Sequence, residues 1–378
     1  MKLIAAALAI VATVLCFGGC KKKETKPVDQ GSGSAGSAPV PAPRFSQGVL
    51  PQMPALEMPA DDKRNAKIAL GHVLFFDKRL SGANDRSCYS CHMNEDGNGG
   101  KDPIAIGSGD KKLTRHSPVI WNVGYWKNAF YWDGRAPTLE ANVKGAWGGA
   151  NMNAGADNLD KKAADLMKIA GYKKLFADAF GTTEIKGDQV IQAIAEYMRT
   201  LVCKDTAYDK FAAGEKAAMT EEQQRGLDVF AGKGGCVTCH MPPMFSTAMG
   251  VDGGIYFNTG IGTQVAEAQG SGSGSGSGSQ AAPVVDIGRM TVTKDEKDWA
   301  AFKPPSLRNV TKSPPYFHDG SVAKLDEAVK LMASGGIKNK NLNSALADRQ
   351  LSAAELSDVI AFLGALDCPG KLDEPKLP

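Results

Sequence analysis

The chain has little net charge, +3 over 378 residues. No block of basic residues stands outside one short stretch near the N-terminus, so nothing in the charge points to nucleic acid. Runs of alternating apolar and polar residues, the mark of half-buried strands, are missing. The apolar run Leu3 to Phe17 follows Met1-Lys2 and is too short to span a membrane. These absences argue against a β-fold and a nucleic-acid partner. They leave a mainly α-helical chain.

What is present is chemically pointed. Cys88-Tyr89-Ser90-Cys91-His92 and Cys236-Val237-Thr238-Cys239-His240 are two Cys-x-x-Cys-His motifs. The pattern is the attachment signature of c-type haem, in which the cysteines bond the two vinyl groups and the histidine supplies the proximal imidazole. The competing reading is zinc, which paired Cys-x-x-Cys motifs also bind. The histidine directly after each second cysteine, and the long separation of the motifs, favour two covalent haem c groups. Cys88, Cys91, Cys236 and Cys239 are then the attachment residues, with His92 and His240 as metal ligands.

The N-terminus reads as an export signal over 1–19. Gly18-Gly19-Cys20 resembles a bacterial lipoprotein cleavage site with Cys20 as the lipidated residue, although Phe17 departs from the leucine usual there. Cys16 is a worse candidate, because Leu15 is too large before the cut. Plain secretion without a lipid is the alternative. The expected location is therefore periplasmic, with membrane contact only through the lipid anchor. Residues 20–60 are expected to form a tether, Lys-, Gly-, Ser- and Pro-rich to about residue 45 and unable to bury a core. Cys203 and Cys368 remain. They can pair in an exported chain or stay as two buried thiols, and sequence alone leaves both open.

The roughly 330 residues after the tether suit two domains, expected over 61–205 and 206–378. They look like tandem copies. Ser117-Pro118-Val119-Ile120-Trp121-Asn122-Val123 resembles Pro305-Ser306-Leu307-Arg308-Asn309-Val310. The segment from Tyr131 to Glu140 resembles that from Phe317 to Asp326, and Ile194–Cys203 resembles Val359–Cys368. Ile68, Leu70, Val73 and Leu74 share a helix face ahead of the first motif. Thr220 and Gln223 open a helix that Gly232, Gly234 and Gly235 stop before Cys236. A last helix opens at Leu351–Glu355 with Leu356, Val359, Ile360 and Leu363 on one face. Residues 261–283, with their Gly-Ser repeat, read as a flexible surface insertion. The fold class expected is two tandem cytochrome c-type domains related by internal duplication.

With these motifs the chain resembles the bacterial di-haem cytochrome c peroxidases, including the methylamine-utilisation di-haem oxidases. The resemblance runs from about residue 65 to 367 and also rests on Leu74–Ser81, Trp132-Asp133-Gly134-Arg135-Ala136, Phe302–Asn309 and Pro315–Gly320. It implies that the first haem reduces hydrogen peroxide while the second receives electrons from a small cytochrome c or copper protein. It implies Met332 as the second iron's distal ligand, against a core role on the helix Leu325–Met332, and His318 beside that haem. The same offset from Trp132 reaches Ala146, which cannot bind iron. Trp132 is implied as the inter-haem bridge, with Arg135 and Asn142 in the first pocket, Asn142 standing where the family has glutamine. Ser108 replaces the displaceable distal histidine. The catalytic glutamate of the family falls near Asn151-Met152, so efficient peroxidase activity is in doubt. His116 replaces an asparagine that helps to bind calcium, which makes calcium doubtful. His72 is expected to face solvent. A non-catalytic electron carrier and a protein-modifying oxidase are the other functions compatible with the pattern, and Met332 argues against the second.

Overall fold

The computed structural model describes residues 44–263 and 285–378, apart from 59 and 183. The export signal, Cys20 and the Gly-Ser repeat lie outside the described residues. Ten α-helices are found among the described residues: α1 (Arg64–Phe76), α2 (Leu139–Gly148), α3 (Leu159–Leu166), α4 (Ala170–Phe180), α5 (Gly187–Arg199), α6 (Ala207–Ala212), α7 (Glu221–Ala231), α8 (Met290–Thr293), α9 (Leu325–Ala333) and α10 (Ala353–Gly364). Among the described residues isolated β-bridges stand in place of strands. No helix among them is long and apolar enough to cross a membrane.

The caps explain where the helices begin. Thr138 accepts from the Ala141 N–H at the start of α2. Thr220 and Gln223 form a reciprocal capping box on α7, and Ser352 and Glu355 do the same on α10. Each half is built on one close helix crossing. α1 meets α5 where Gly71 lies against Ala193; a Cβ at residue 71 would come 1.9 Å from the Ala193 carbonyl oxygen. α7 meets α10 in the same way, with 1.8 Å from residue 226 to the Asp358 oxygen. Leu70, Leu74 and Phe75 are buried in the first core. Leu227, Phe230, Val359, Phe362 and Leu363 are buried in the second. Phe362, absent from the expected α10 face, is at its centre.

Local features recur in matched places. Asn122 and Asn309 both take left-handed φ, 63° and 68°, as do Tyr131 and Phe317, and Gly134 and Gly320. The bridges Phe130–Ala136 and Tyr316–Val322 close equivalent loops. The pairing left open by the sequence is made: Cys203 and Cys368 form a disulfide, with Cα atoms 5.3 Å apart.

Several expected boundaries move. Within the supposed tether, Ser46 N–H donates to Asp228 (2.7 Å), and Leu50 is buried in the second core. Packing therefore starts near residue 45, because Leu50 supplies apolar surface that the tether composition hides. The C-terminal residues leave the second half. Leu372 joins the first core, and the Pro378 carbonyl accepts from Arg79 (3.1 Å). His72 is not a free surface residue. Its ring stacks on Tyr197 and its Nε2 lies 2.6 Å from the Asp373 carbonyl. The insertion begins later than 261, since Ile261 and Thr263 are buried. Residues 43–378 form one compact unit, so the two halves are not separate bodies.

Candidate haem sites

Each Cys-x-x-Cys-His motif folds as a short 3-10 turn, Tyr89–Cys91 and Cys236–Thr238, that delivers a histidine to a cavity. His92 Nδ1 lies 3.2 Å from the Asn98 carbonyl. His240 Nδ1 lies 3.1 Å from the carbonyls of both Phe245 and Pro305. A carbonyl at Nδ1 favours the tautomer with the proton there, leaving Nε2 with a free lone pair. Burial pushes both imidazoles down to about 4, so they are neutral at pH 7. Burial raises the Cys88 thiol to about 12 and those of Cys236 and Cys239 to about 11, and it raises Cys91 as well. None of the four is in a disulfide.

His92 lines a first cavity of about 710 Å³, and His240 with Cys236 and Cys239 lines a second of about 230 Å³. Among the described residues no three His, Cys, Asp or Glu side chains converge as a metal centre requires, so the motifs do not pool ligands as in a zinc site. Neutral imidazoles with a free nitrogen, adjacent thiol pairs and largely apolar cavities fit haem c.

The two cavities differ where it matters. Met332 is half-exposed, stands outside the core clusters and lines the second. Ala146 stands in the lining of the first. Asn142 and Asn151 also line the first cavity, whereas Met152 is only 5% exposed and packs in the core. Among the described residues no aspartate or glutamate lines that cavity. Ser108 is fully buried away from it. Its hydroxyl donates to Asp85 (2.6 Å) and accepts from the Ala83 N–H (3.1 Å). Asp85 is held down at about 2, chiefly by that hydroxyl.

Trp132 lines both cavities. Its Nε1 donates to the His116 carbonyl (2.9 Å), and its ring meets His318 edge-on at 6.4 Å. His318 stacks on Phe302 at 3.7 Å and lines the second cavity; burial lowers it to about 4. His116 Nδ1 lies 2.9 Å from the Asp102 carbonyl. Arg135 is at the rim of the first cavity, where its guanidinium covers the Tyr131 ring at 3.7 Å and binds Asp133 (3.0 Å). Tyr131 donates its hydroxyl to the Asn142 carbonyl (2.8 Å).

The buried network behind Trp132 has no signature in the sequence. Arg115 joins Asp133 (2.8 Å) to Asp286 (2.6 Å) across the two halves. Lys303 does have one, as a charged residue inside the otherwise apolar run Phe302-Lys303-Pro304-Pro305.

Residues 65–217 match the family model for di-haem cytochrome c peroxidase. A cytochrome-c peroxidase of Denitromonas iodatirespirans is 35% identical, with 92% of each chain covered. The methylamine utilization protein MauG of Methylorubrum extorquens is 33% identical over 82% of this chain and 81% of its own. The crystal structure of a MauG-like protein associated with microbial copper homeostasis superposes with a TM-score of 0.72 at 30% identity, covering 86% of this chain and 95% of that one. The chain belongs to the di-haem cytochrome c peroxidase family.

Proposed function

We propose that the protein carries two covalent haem c groups and reduces hydrogen peroxide to water at the first, with electrons received at the second. The observation that carries this reading is the asymmetry of the cavities: Met332 in one, Ala146 in the other, and Trp132 lining both. Haem supplies the iron that binds peroxide and passes electrons. The chain supplies the rest. His92 and His240 present Nε2 lone pairs, and Cys88, Cys91, Cys236 and Cys239 fix the macrocycles. Met332 would hold the second haem through its thioether, a ligand that raises a haem's potential and suits electron reception. The methyl of Ala146 leaves room for a small substrate. Trp132 and His318 provide an aromatic path between the cavities. Asn142 and Asn151 orient peroxide by hydrogen bonds without taking its proton, and Arg135 offers a cation at the rim.

The electron donor in this reading is a small cytochrome c or copper protein. His116 brings an imidazole where calcium prefers an oxygen donor, which argues against a calcium site there. The Cys203–Cys368 disulfide supports an oxidising compartment, consistent with export and periplasmic anchoring at Cys20. The matched helix crossings and asparagine turns support an internal duplication, with one copy centred on α1 and α5 and the other on α7 and α10.

The lack of a lining carboxylate favours one second reading, an electron carrier without catalysis. An anaerobic peroxide titration of the oxidised holoprotein, followed by haem spectra, separates the two. Peroxidase function requires a spectral change at one haem and peroxide-dependent oxidation of a reduced small cytochrome. No response at either haem leaves the carrier.

A further inference from the structure

Lys303 is the charged residue that fits its surroundings least. It is only 7% exposed and lines both cavities. Its backbone N–H donates to the Trp132 carbonyl (3.0 Å), which fixes it beside the residue that the cavities share. Its Nζ donates to the Ala129 carbonyl and lies 3.5 Å from the centre of the Trp126 ring. Among the described residues it has no ion-pair partner. Arg115 and Arg135 take up Asp133, and Arg115 also takes Asp286. A buried ammonium without a carboxylate is costly, and lysine responds by giving up its proton.

We infer that Lys303 is a redox-linked proton site: its amine takes up one proton when an electron reaches either iron and releases it when that electron leaves. The inference rests on the di-haem reading and not on peroxide chemistry. An added electron makes the neighbourhood more negative, which favours the ammonium. One electron in and one proton in leave the local charge unchanged. The overall reaction, peroxide with two electrons and two protons giving two waters, consumes protons at the rate at which the donor supplies electrons. Lys303 therefore brings a proton along with the electron beside Trp132.

The neighbouring groups leave this role to Lys303. Burial lowers its amine to about 7, with Asp133 opposing and Arg289 reinforcing the shift. His318 sits at about 4 and is neutral across that range, and burial also lowers His116. Arg115 is held in its charged form by Asp286 and Asp133, and the remaining lysines of the first cavity, Lys111 and Lys112, are exposed.

The test uses the matured full-length holoprotein without peroxide. A pH-sensitive dye reports proton uptake on stoichiometric anaerobic reduction, and spectroelectrochemistry gives each haem potential against pH. The wild type should take up protons near pH 7 and show potentials that fall as pH rises from about 6 to 8. Lys303→Met should lose that uptake and flatten the fall. Lys303→Arg keeps a cation that cannot titrate, so it should also lose the uptake and hold the acid-side potential throughout. A Lys303→Met protein with wild-type uptake and slope overturns the inference. Should that variant fail to mature, an unchanged slope in Lys303→Arg does the same. A protein that behaves as expected here but ignores peroxide sinks the peroxidase reading alone.

Discussion

Cys203 and Cys368 are joined in a disulfide, and each backbone N–H next to the bridge donates to an asparagine held in left-handed conformation. Cys203 N–H donates to Asn122 (2.8 Å) and Cys368 N–H to Asn309 (3.0 Å). Asn309 also donates to the Gly97 carbonyl (2.8 Å), in the opposite half. The ends of α5 and α10 are thereby tied to the Asn122 and Asn309 turns and, through Gly97, to the loop after the first haem motif.

Removing the bridge should therefore loosen both halves together. Cys203→Ser with Cys368→Ser opens a loop of 165 residues. In the chain-entropy account this costs about 2–5 kcal/mol. Denaturant unfolding of the oxidised holoprotein should show the unfolding free energy fall by that amount and the midpoint fall in proportion. Addition of a reductant should shift the wild type, but not the double variant. Equal midpoints in the two proteins would show that the asparagine turns suffice alone.

The glycines at the helix crossings make a second prediction. Gly71→Ala and Gly226→Ala each place a methyl group inside contact distance of a carbonyl in the facing helix. Overpacking of this kind typically costs about 1–3 kcal/mol. Thermal unfolding should register both, and the effects should be of similar size if the crossings are equivalent. Either variant melting with the wild type would mean that the helices separate at little cost.

Much of this was legible in the sequence because it depends on local chemistry. The haem motifs, the capping residues Thr220 and Ser352 and the helix before Cys88 declare themselves at short range. The contrast of Met332 with Ala146 is different in kind, since it follows from the family resemblance and not from local chemistry. What could not be read depends on distant partners. Leu50 looks like tether until the second core receives it. Ser108 looks like a pocket residue until Asp85 takes its hydroxyl. His72 looks like a surface residue until the chain's last ten residues return across α1. Lys303 is plain in the sequence, but its missing counter-ion is a fact of three dimensions.

Met332 gives the third prediction. Met332→Ala should remove the methionine–iron charge-transfer band and lower the potential of one haem, because a thioether ligand raises it. The other haem should keep its spectrum, since Met332 lines only the second cavity. Ser108→Ala should leave both spectra unchanged, because the Ser108 hydroxyl is engaged by Asp85. Redox titration and optical spectra of the two variants check this. A Met332→Ala protein with unaltered potentials would return Met332 to a packing role.

The fourth prediction uses the missing carboxylate. Asn151 and Met152 are neighbours in sequence but not in environment: Asn151 lines the first cavity, while Met152 is buried in the core. A carboxylate at 151 can exchange a proton with a cavity ligand. At 152 it would be buried among apolar side chains, where an ionised group is strongly disfavoured. A positioned acid–base group is typically worth about 10²–10⁴-fold in rate. Asn151→Glu should recover part of that, raising peroxide-dependent oxidation of a reduced small cytochrome by about tenfold or more. Met152→Glu should instead lower the yield of folded holoprotein and leave the rate per haem unimproved. Stopped-flow turnover and pyridine haemochrome content, measured on both variants, separate the two effects. If the wild type is already fast and Asn151→Glu adds nothing, proton transfer in the first cavity is carried by a group other than the missing carboxylate.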